Sequence, residues 1–424
     1  MTEFATSSRY PFERLKWSTA GVINGVWGED PNGVDDIPCA RVADFDRLRL
    51  TVSGQLPTIR AVTVRERASR VLQRGDLLIE KSGGGDSQLV GCVVSYDGDN
   101  EAICSNFIGR MLPAPEMYPR FWAYVHAWIY ATRQNFVAIK QTTGIQNLDI
   151  EAYLDIRVPY PSMSDQEAIG RFLDRQTNQF DTLVKAKQRM LELLAEKRRA
   201  IIAEAVMRGL NPGAPLRPSG IDWLGDIPAH WEVERSRWLF RERDERSETG
   251  TEEMLTVSHI TGVTPRSEKD VNMFEAESTT GYKLCFTGDL AINTLWAWMG
   301  AMGTARVDGI VSPAYNVYTP GPRLLPDYVD ALVRIPVFAQ EVTRYSKGVW
   351  SSRLRLYPEG FFETWWPVPP LDEQHQIVEH ISAETAKIDR LRAATEHSIT
   401  LLKERRSALI AAAVTGQIDI PEAA

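Results

Sequence analysis

Residues Pro159–Leu183 read PYPSMSDQEAIGRFLDRQTNQFDTL, and 208 positions later, without a gap, Pro367–Leu391 read PVPPLDEQHQIVEHISAETAKIDRL. Pro159 falls on Pro367, Gln166 on Gln374, Ile169 on Ile377, Asp181 on Asp389 and Leu183 on Leu391. Further along, Glu192–Val206 (ELLAEKRRAIIAEAV) answers Thr400–Val414 (TLLKERRSALIAAAV). So long a period marks duplicated domains, since stacked arrays repeat every roughly 20–50 residues. The chain must build one long element twice, with a globular region ahead of each copy.

The element is a helix. Ile169, Leu173, Phe180, Leu183, Met190, Leu194 and Ile201 fall on steps of four and three or their sums, as do Ile377, Ile381, Ile388, Leu391, Leu402 and Leu409. This a/d heptad series predicts a coiled-coil seam. Polar residues interrupt it at matching places, Gln176/Glu384, Lys187/Thr395 and Lys197/Arg405. Ser164 and Asp372 are expected N-caps, and Gly209 and Gly416 expected stops. A helix of about 45 residues runs roughly 65 Å and cannot stand alone in water. Its nearest equal partner is its own copy, and a globular region between the copies favours an antiparallel pair.

The expected fold class is therefore mixed α/β (α+β), with two globular domains separated by two long helices in an antiparallel coiled coil. The boundaries expected are 1–158 and 233–366 for the globular domains, 159–210 and 367–424 for the helical repeats, and 211–232 for a linker. The linker is rich in Pro and Gly but carries Trp223, Leu224, Ile227 and Trp231, so it should pack on the second globular region. Fainter echoes join the globular regions: QRGDLLIEKS (Gln73–Ser82) with FTGDLAINTL (Phe286–Leu295), and TTGIQNLD (Thr142–Asp149) with SKGVWSSRL (Ser346–Leu354).

A length of 424 residues exceeds one core. A net charge of −8 argues against a uniformly basic nucleic-acid coat and leaves room for local patches. Cys39, Cys92, Cys104 and Cys285 form no CxxC, which fits a reduced, cytoplasmic protein. MTEFATSSRYPFERL lacks an apolar signal core, and Phe121–Ala131 is too short to span a bilayer, so no membrane role is expected.

Catalytic signatures are missing. In EKSGGGDS (Glu80–Ser87) the lysine precedes the glycines, which is not a phosphate loop. NPGA at Asn211 lacks the second proline and the aromatic of an adenine methyltransferase motif. Asp76 with Glu80–Lys81 has the wrong spacing for a carboxylate nuclease, and His375 and His380 diverge on a helix. No catalytic residue and no metal site is expected.

Nucleic-acid contacts are better supplied. Arg47–Lys81 is rich in arginine, and Arg65 and Arg67 have strand spacing. Val342–Pro358 holds Arg344, Lys347, Arg353 and Arg355 with no acid. Amides and hydroxyls accompany both patches. The candidate DNA-binding residues are Arg65, Arg67, Lys81, Ser82, Gln141, Thr143, Gln146 and Asn147 in the first half, and Asn293, Thr294, Lys347, Ser351, Ser352 and Arg353 in the second. Lys and Arg hold phosphates, while amides, hydroxyls and Arg read base edges.

Three stretches together resemble the specificity subunit of type I restriction–modification systems: PVPPLDEQHQI (Pro367–Ile377), the helix end LLKERRSALIAAAVTGQID, and GIDWLGDIPAHWE (Gly220–Glu232). The resemblance covers nearly the whole chain. It implies a non-catalytic subunit in which each globular region is a target recognition domain for one half of a bipartite double-stranded DNA site. It implies that the helices space the domains and dock methyltransferase subunits, two being expected. Motor-nuclease subunits join through these. S-adenosylmethionine, ATP and Mg belong on those partners, with no cofactor on this chain. The subunit would confer specificity on an adenine-N6 DNA methyltransferase and an ATP-dependent endonuclease. The alternative is a coiled-coil adaptor whose globular domains bind proteins.

Overall fold

The computed structural model describes residues 8–52, 55–84, 88–142, 144–269, 278–348 and 354–420. The fold is mixed α/β with two long helices, the central helix Met163–Arg208 (46 residues) and the C-terminal helix Leu371–Val414 (44 residues). The chain forms two compact units, Met1–Arg189 with Glu396–Ala424, and Met190–Thr395. Each unit thus owns part of both long helices.

The first unit is built on a sheet in the order Thr19–Asn24, Ile108–Pro113, Leu77–Glu80, Val93–Tyr96, Thr51–Val52, Phe45–Asp46. The first four strands are antiparallel neighbours. Leu77 and Ile79 face a core with Phe121, Trp122 and Val125 of the helix Pro119–Ala131, while Leu78 faces the opposite core with Val94 and Ile108. This two-sided burial explains why LLIE reads as a continuous apolar strand. The long helices close the first core through Ile169, Leu173, Ile410, Ala413 and Val414.

The second unit repeats the plan. Its sheet runs Phe240–Arg243, Tyr315–Pro320, Leu290–Asn293, Met302–Thr304, again antiparallel. Leu290 and Ile292 face the helices Pro326–Val333 and Pro336–Tyr345, and Ala291 faces the other side. Ala205, Val206 and Ile377 come from the long helices. Trp223, Leu224, Ile227 and Trp231 are buried in this core, as the linker's apolar content requires.

The duplication reaches single bonds. Gln166 donates to the Pro161 carbonyl at 3.1 Å and Gln374 to the Pro369 carbonyl at 2.8 Å. Asp76 accepts from the Gln73 N–H and from Arg110, and Asp289 from the Phe286 N–H and from Arg243. Asp76 therefore anchors a turn. Gly209 and Gly416 end the helices with φ near +73° and +70°. The start differs from expectation. Ser162, whose Oγ accepts from the Asp165 N–H at 3.2 Å, caps the central helix in place of Ser164, and Asp372 lies inside the first turn of the other.

Within each unit the two helices run antiparallel, because partners advance along one as they retreat along the other. In the first, Asp181 pairs with Arg406 (3.2 Å) while Ile169 and Leu173 share a core with Ile410 and Val414. In the second, Arg198 pairs with Asp389 (3.8 Å) while Val206 shares a core with Ile377.

The seam departs from the heptad reading. Leu183 and Leu391 are 50% and 49% exposed and leave the seam, while Met190, 41% exposed, still meets the buried Thr395 of the other helix at 4.0 Å. Phe180, Ile201, Ile381, Leu402 and Leu409 flank it, half-buried. Thr177, Asp181 and Val184 are buried in addition, while Ile169, Leu173, Leu194, Ile377 and Ile388 are buried as the series expects. In the C-terminal helix Ile377, Ile388, Ile399 and Ile410 are all buried, eleven residues apart. An eleven-residue repeat is about 3.67 residues per turn, near the straight helix, whereas a strict heptad drifts about 20° per repeat. Of the polar interruptions, Lys197 and Arg405 are exposed, while their neighbours Arg198 and Arg406 make the cross-helix pairs.

One buried group makes the first unit acid-sensitive. His126 is 1% exposed, its Nδ1 is 2.7 Å from the Tyr153 hydroxyl, and burial lowers its pKa to about 3. With the folded pKa depressed, its stability contribution is complete above the ordinary value near 6.5 and is lost as pH falls towards 3. The loss is about 1.4 kcal/mol per pH unit in that window. Urea unfolding at pH 7 and pH 5 should show a stability drop that shrinks in His126→Gln. An unchanged drop would assign it to other groups.

Candidate nucleic-acid interface

The sheet strands of each unit lead to one end, and most candidate residues lie there. In the first unit the hairpin Ile139–Thr142/Ile145–Leu148 pairs with the short strand Ser82–Gly83. Lys140 lies opposite Asn147, and Asn147 opposite Ser82, so the three form one row across the strands. Asn147 and Gln141 are exposed, and Ser82 is half-buried. Lys81 donates to Asn24 at 2.5 Å, and burial lowers its pKa. Beside Ser82 opens a cavity of about 650 Å³ lined by Trp27, Phe107, Arg41 and Arg47. Arg60 lies over the Trp27 ring at 4.6 Å.

Several candidates are placed otherwise. Gln146 is buried, its Oε1 accepting from the Val90 N–H at 3.2 Å, because alternation along Ile145–Leu148 turns it inward. Arg65 and Arg67 lie in the one-turn helix Val64–Arg67, capped by Thr63, so their side chains diverge by about 200° and share no face. The rest of the arginine-rich stretch is largely compensated: Arg47 pairs with Glu80, Arg60 with Asp30 and Arg74 with Asp99 at 2.9, 2.6 and 2.7 Å.

In the second unit Asn293 and Thr294 are buried, 7% and 5% exposed. Asn293 Nδ2 donates to the Tyr315 hydroxyl, and Thr294 Oγ1 to the Ala314 carbonyl. They hold the hairpin end together, and Asn293 Oδ1 is left without a hydrogen-bond partner among the described residues. Lys347 is exposed and exchanges backbone hydrogen bonds with Arg355 at 3.0 and 2.9 Å. The Leu356 N–H donates to the Thr294 carbonyl, which joins this segment to the hairpin end. Thr143, Ser351, Ser352 and Arg353 lie outside the described residues.

The residues that do project at this end were missed by sequence reasoning. Leu295, Trp296 and Met299 are 44%, 50% and 39% exposed, and Trp296 stacks with Trp298 at 6.4 Å between centroids. Their signal was present: TLWAWMG is an apolar run at a turn, bounded by a Gly in the left-handed region. Among the described residues the two units thus end differently, one in a polar row beside Trp27 and Phe107 and one in an aromatic tip with Lys347 and Arg355 nearby. Among the described residues no group of acids, cysteines and histidines is placed to hold a metal ion. Burial pushes the Cys104 thiol up to about 12, against nucleophilic use. No helix among the described residues is long and apolar enough to cross a membrane.

No family model matches the chain. A 91-residue stretch, 22% of this chain, is 26% identical to the specificity subunit of the type I restriction enzyme MjaVIII of Methanocaldococcus jannaschii, and spans only 20% of that protein. The fold extends the likeness to full length. An HsdS subunit from Thermoanaerobacter tengcongensis superposes with a TM-score of 0.55 at 16% identity, over 99% of this chain and 100% of that one. A chain from a type I R-M system, described for its complex assembly and conformational transition, gives 0.65 at 17% identity over 96% and 98%. From end to end, this chain has the fold of the type I restriction–modification specificity subunits.

Proposed function

We propose that this chain is the non-catalytic DNA-reading subunit of a type I restriction–modification complex. Each unit reads one half of a bipartite double-stranded site through the hairpin end described above. The long helices space the two readers and dock methyltransferase subunits, which carry S-adenosylmethionine. Motor-nuclease subunits, with ATP and Mg, join through them. The observation that carries this reading is one sheet plan built twice on a pair of long helices, ending in two chemically different tips. A site read in two unlike pieces needs two unlike readers on a common frame. In the first unit, Asn147 and Ser82 are donors and acceptors for base edges, and Lys140, paired with Asp149 at 2.7 Å, would exchange that partner for a phosphate.

The test is co-expression with a methyltransferase subunit, followed by sequencing that detects methylated adenine. One two-part motif with a fixed gap is expected, and Asn147→Ala should relax one half of it only. The lost base contact should weaken discrimination at that half by roughly 10–100-fold. A soluble complex without new methylation would shift weight to the protein-adaptor reading.

A further inference from the structure

The strands Phe12–Arg14 and Glu232–Arg235 each pair with the strand that leads into a long helix. Glu13 lies opposite Val158 and Glu234 opposite Trp366, so Arg14, Lys16 and Trp17 correspond to Arg235, Arg237 and Trp238. The turn that follows is held alike. Leu15 N–H donates to the Ile156 carbonyl at 2.9 Å, and Ser236 N–H to the Thr364 carbonyl at 3.0 Å. In each copy one acid joins two bases. Asp155 pairs with Arg14 and Lys16 at 3.4 and 3.6 Å, and Glu363 with Arg235 and Arg237. Each copy leaves a tryptophan in solvent, Trp17 58% and Trp238 71% exposed.

One exposed indole needs no explanation. Two at equivalent places do, because each forgoes about 2–3 kcal/mol of burial while the hairpin ends have diverged. The site is not the DNA face. Asn24 pairs with Gly109 beside Lys81, whereas Thr19, next to the Trp17 turn, lies five residues back, about 17 Å along the strand. In the second unit Asn293 pairs with Tyr315 at one end and Phe240 with Pro320 at the other. The two bases around each tryptophan are tied to one acid, so their head groups are held in place and not left free for phosphate. An exposed aromatic beside a paired Arg/Lys–acid cluster is the composition of a protein-interface anchor. The same cluster built twice fits one partner present twice.

We infer that Trp17 and Trp238 anchor two equivalent protein-docking surfaces, each taking one copy of the methyltransferase subunit. The inference rests on the proposed function for the identity of that partner. The test uses the full chain with purified methyltransferase subunit, with copies counted by light scattering and affinities measured by calorimetry. Wild type should bind two copies. Trp17→Ala and Trp238→Ala should each weaken one site by about 30-fold or more, and the double variant both. Wild-type affinity at both sites in all three variants would overturn the inference and leave the functional reading standing. No binding by the wild type would overturn both. Exposed residues should leave Tm unmoved; if either alanine variant lowers it, Trp17→Gln and Trp238→Gln replace them.

Discussion

Arg406→Ala should destabilise the first unit by about 3–5 kcal/mol, while Arg198→Ala, the same change at the repeat-equivalent position, should cost less than about 1 kcal/mol. The two arginines make the same cross-helix pair in opposite surroundings. Arg406 and Asp181 keep only 10% and 6% of their side chains exposed, and Arg406 also donates to the Leu48 carbonyl. Arg198 and Asp389 are 43% and 51% exposed at 3.8 Å, where water screens the attraction. Removing Arg406 strands a buried carboxylate. Burial already raises the Asp181 pKa, and Arg406 holds it down. Without Arg406 the folded pKa rises further above the unfolded value. The stability is then kept at low pH and lost as pH rises through the folded pKa, so the Arg406→Ala deficit should shrink in acid. Urea unfolding at pH 7 and pH 5, with hydrogen exchange to locate the weakened unit, checks both parts. Equal effects of the two substitutions would show that burial of the pair does not matter.

A chain cut after residue 210 should form a dimer. The cut removes Ile410, Ala413 and Val414, which the first unit buries at 4%, 0% and 0% exposure. Losing the two larger side chains alone forfeits roughly 3–6 kcal/mol of burial. The fragment carries its own replacements 208 residues earlier. Ala205 and Val206 sit in the core of the second unit, and Ile202 packs against it, as their equivalents do in the first. Two fragments exchanging these ends would complete both cores, with Asp181 of each copy meeting Arg198 of the other. Light scattering should give twice the fragment mass, with a midpoint of unfolding that rises with concentration. Val206→Asp should abolish the dimer. A folded monomer at all concentrations would show that the first unit does not need the helix end.

The helical frame was legible because its signals are local. A gap-free offset, glycine stops and a proline-led entry survive in the sequence whatever packs on them. The stretches GDLLIE and GDLAIN were legible as echoes of one another, and the structure gives them the same place in their sheets. The candidate interface was half legible. Ser82 and Asn147 meet in one row, but Gln146, Asn293 and Thr294 turned inward, and Leu295, Trp296 and Met299 projected where polar residues were sought. An amide looks the same in sequence whether it meets water or a buried N–H.

Sequence alone determined that one long helix is built twice, where each copy stops, and which residues correspond across 208 positions. Only the tertiary structure decided the seam, which runs at eleven residues through Ile377, Ile388, Ile399 and Ile410 and drops Leu183 and Leu391. It alone decided that Arg406 is buried and Arg198 is not. The reason is that periodicity and capping are set within a turn of chain, whereas burial is set by what arrives from hundreds of residues away.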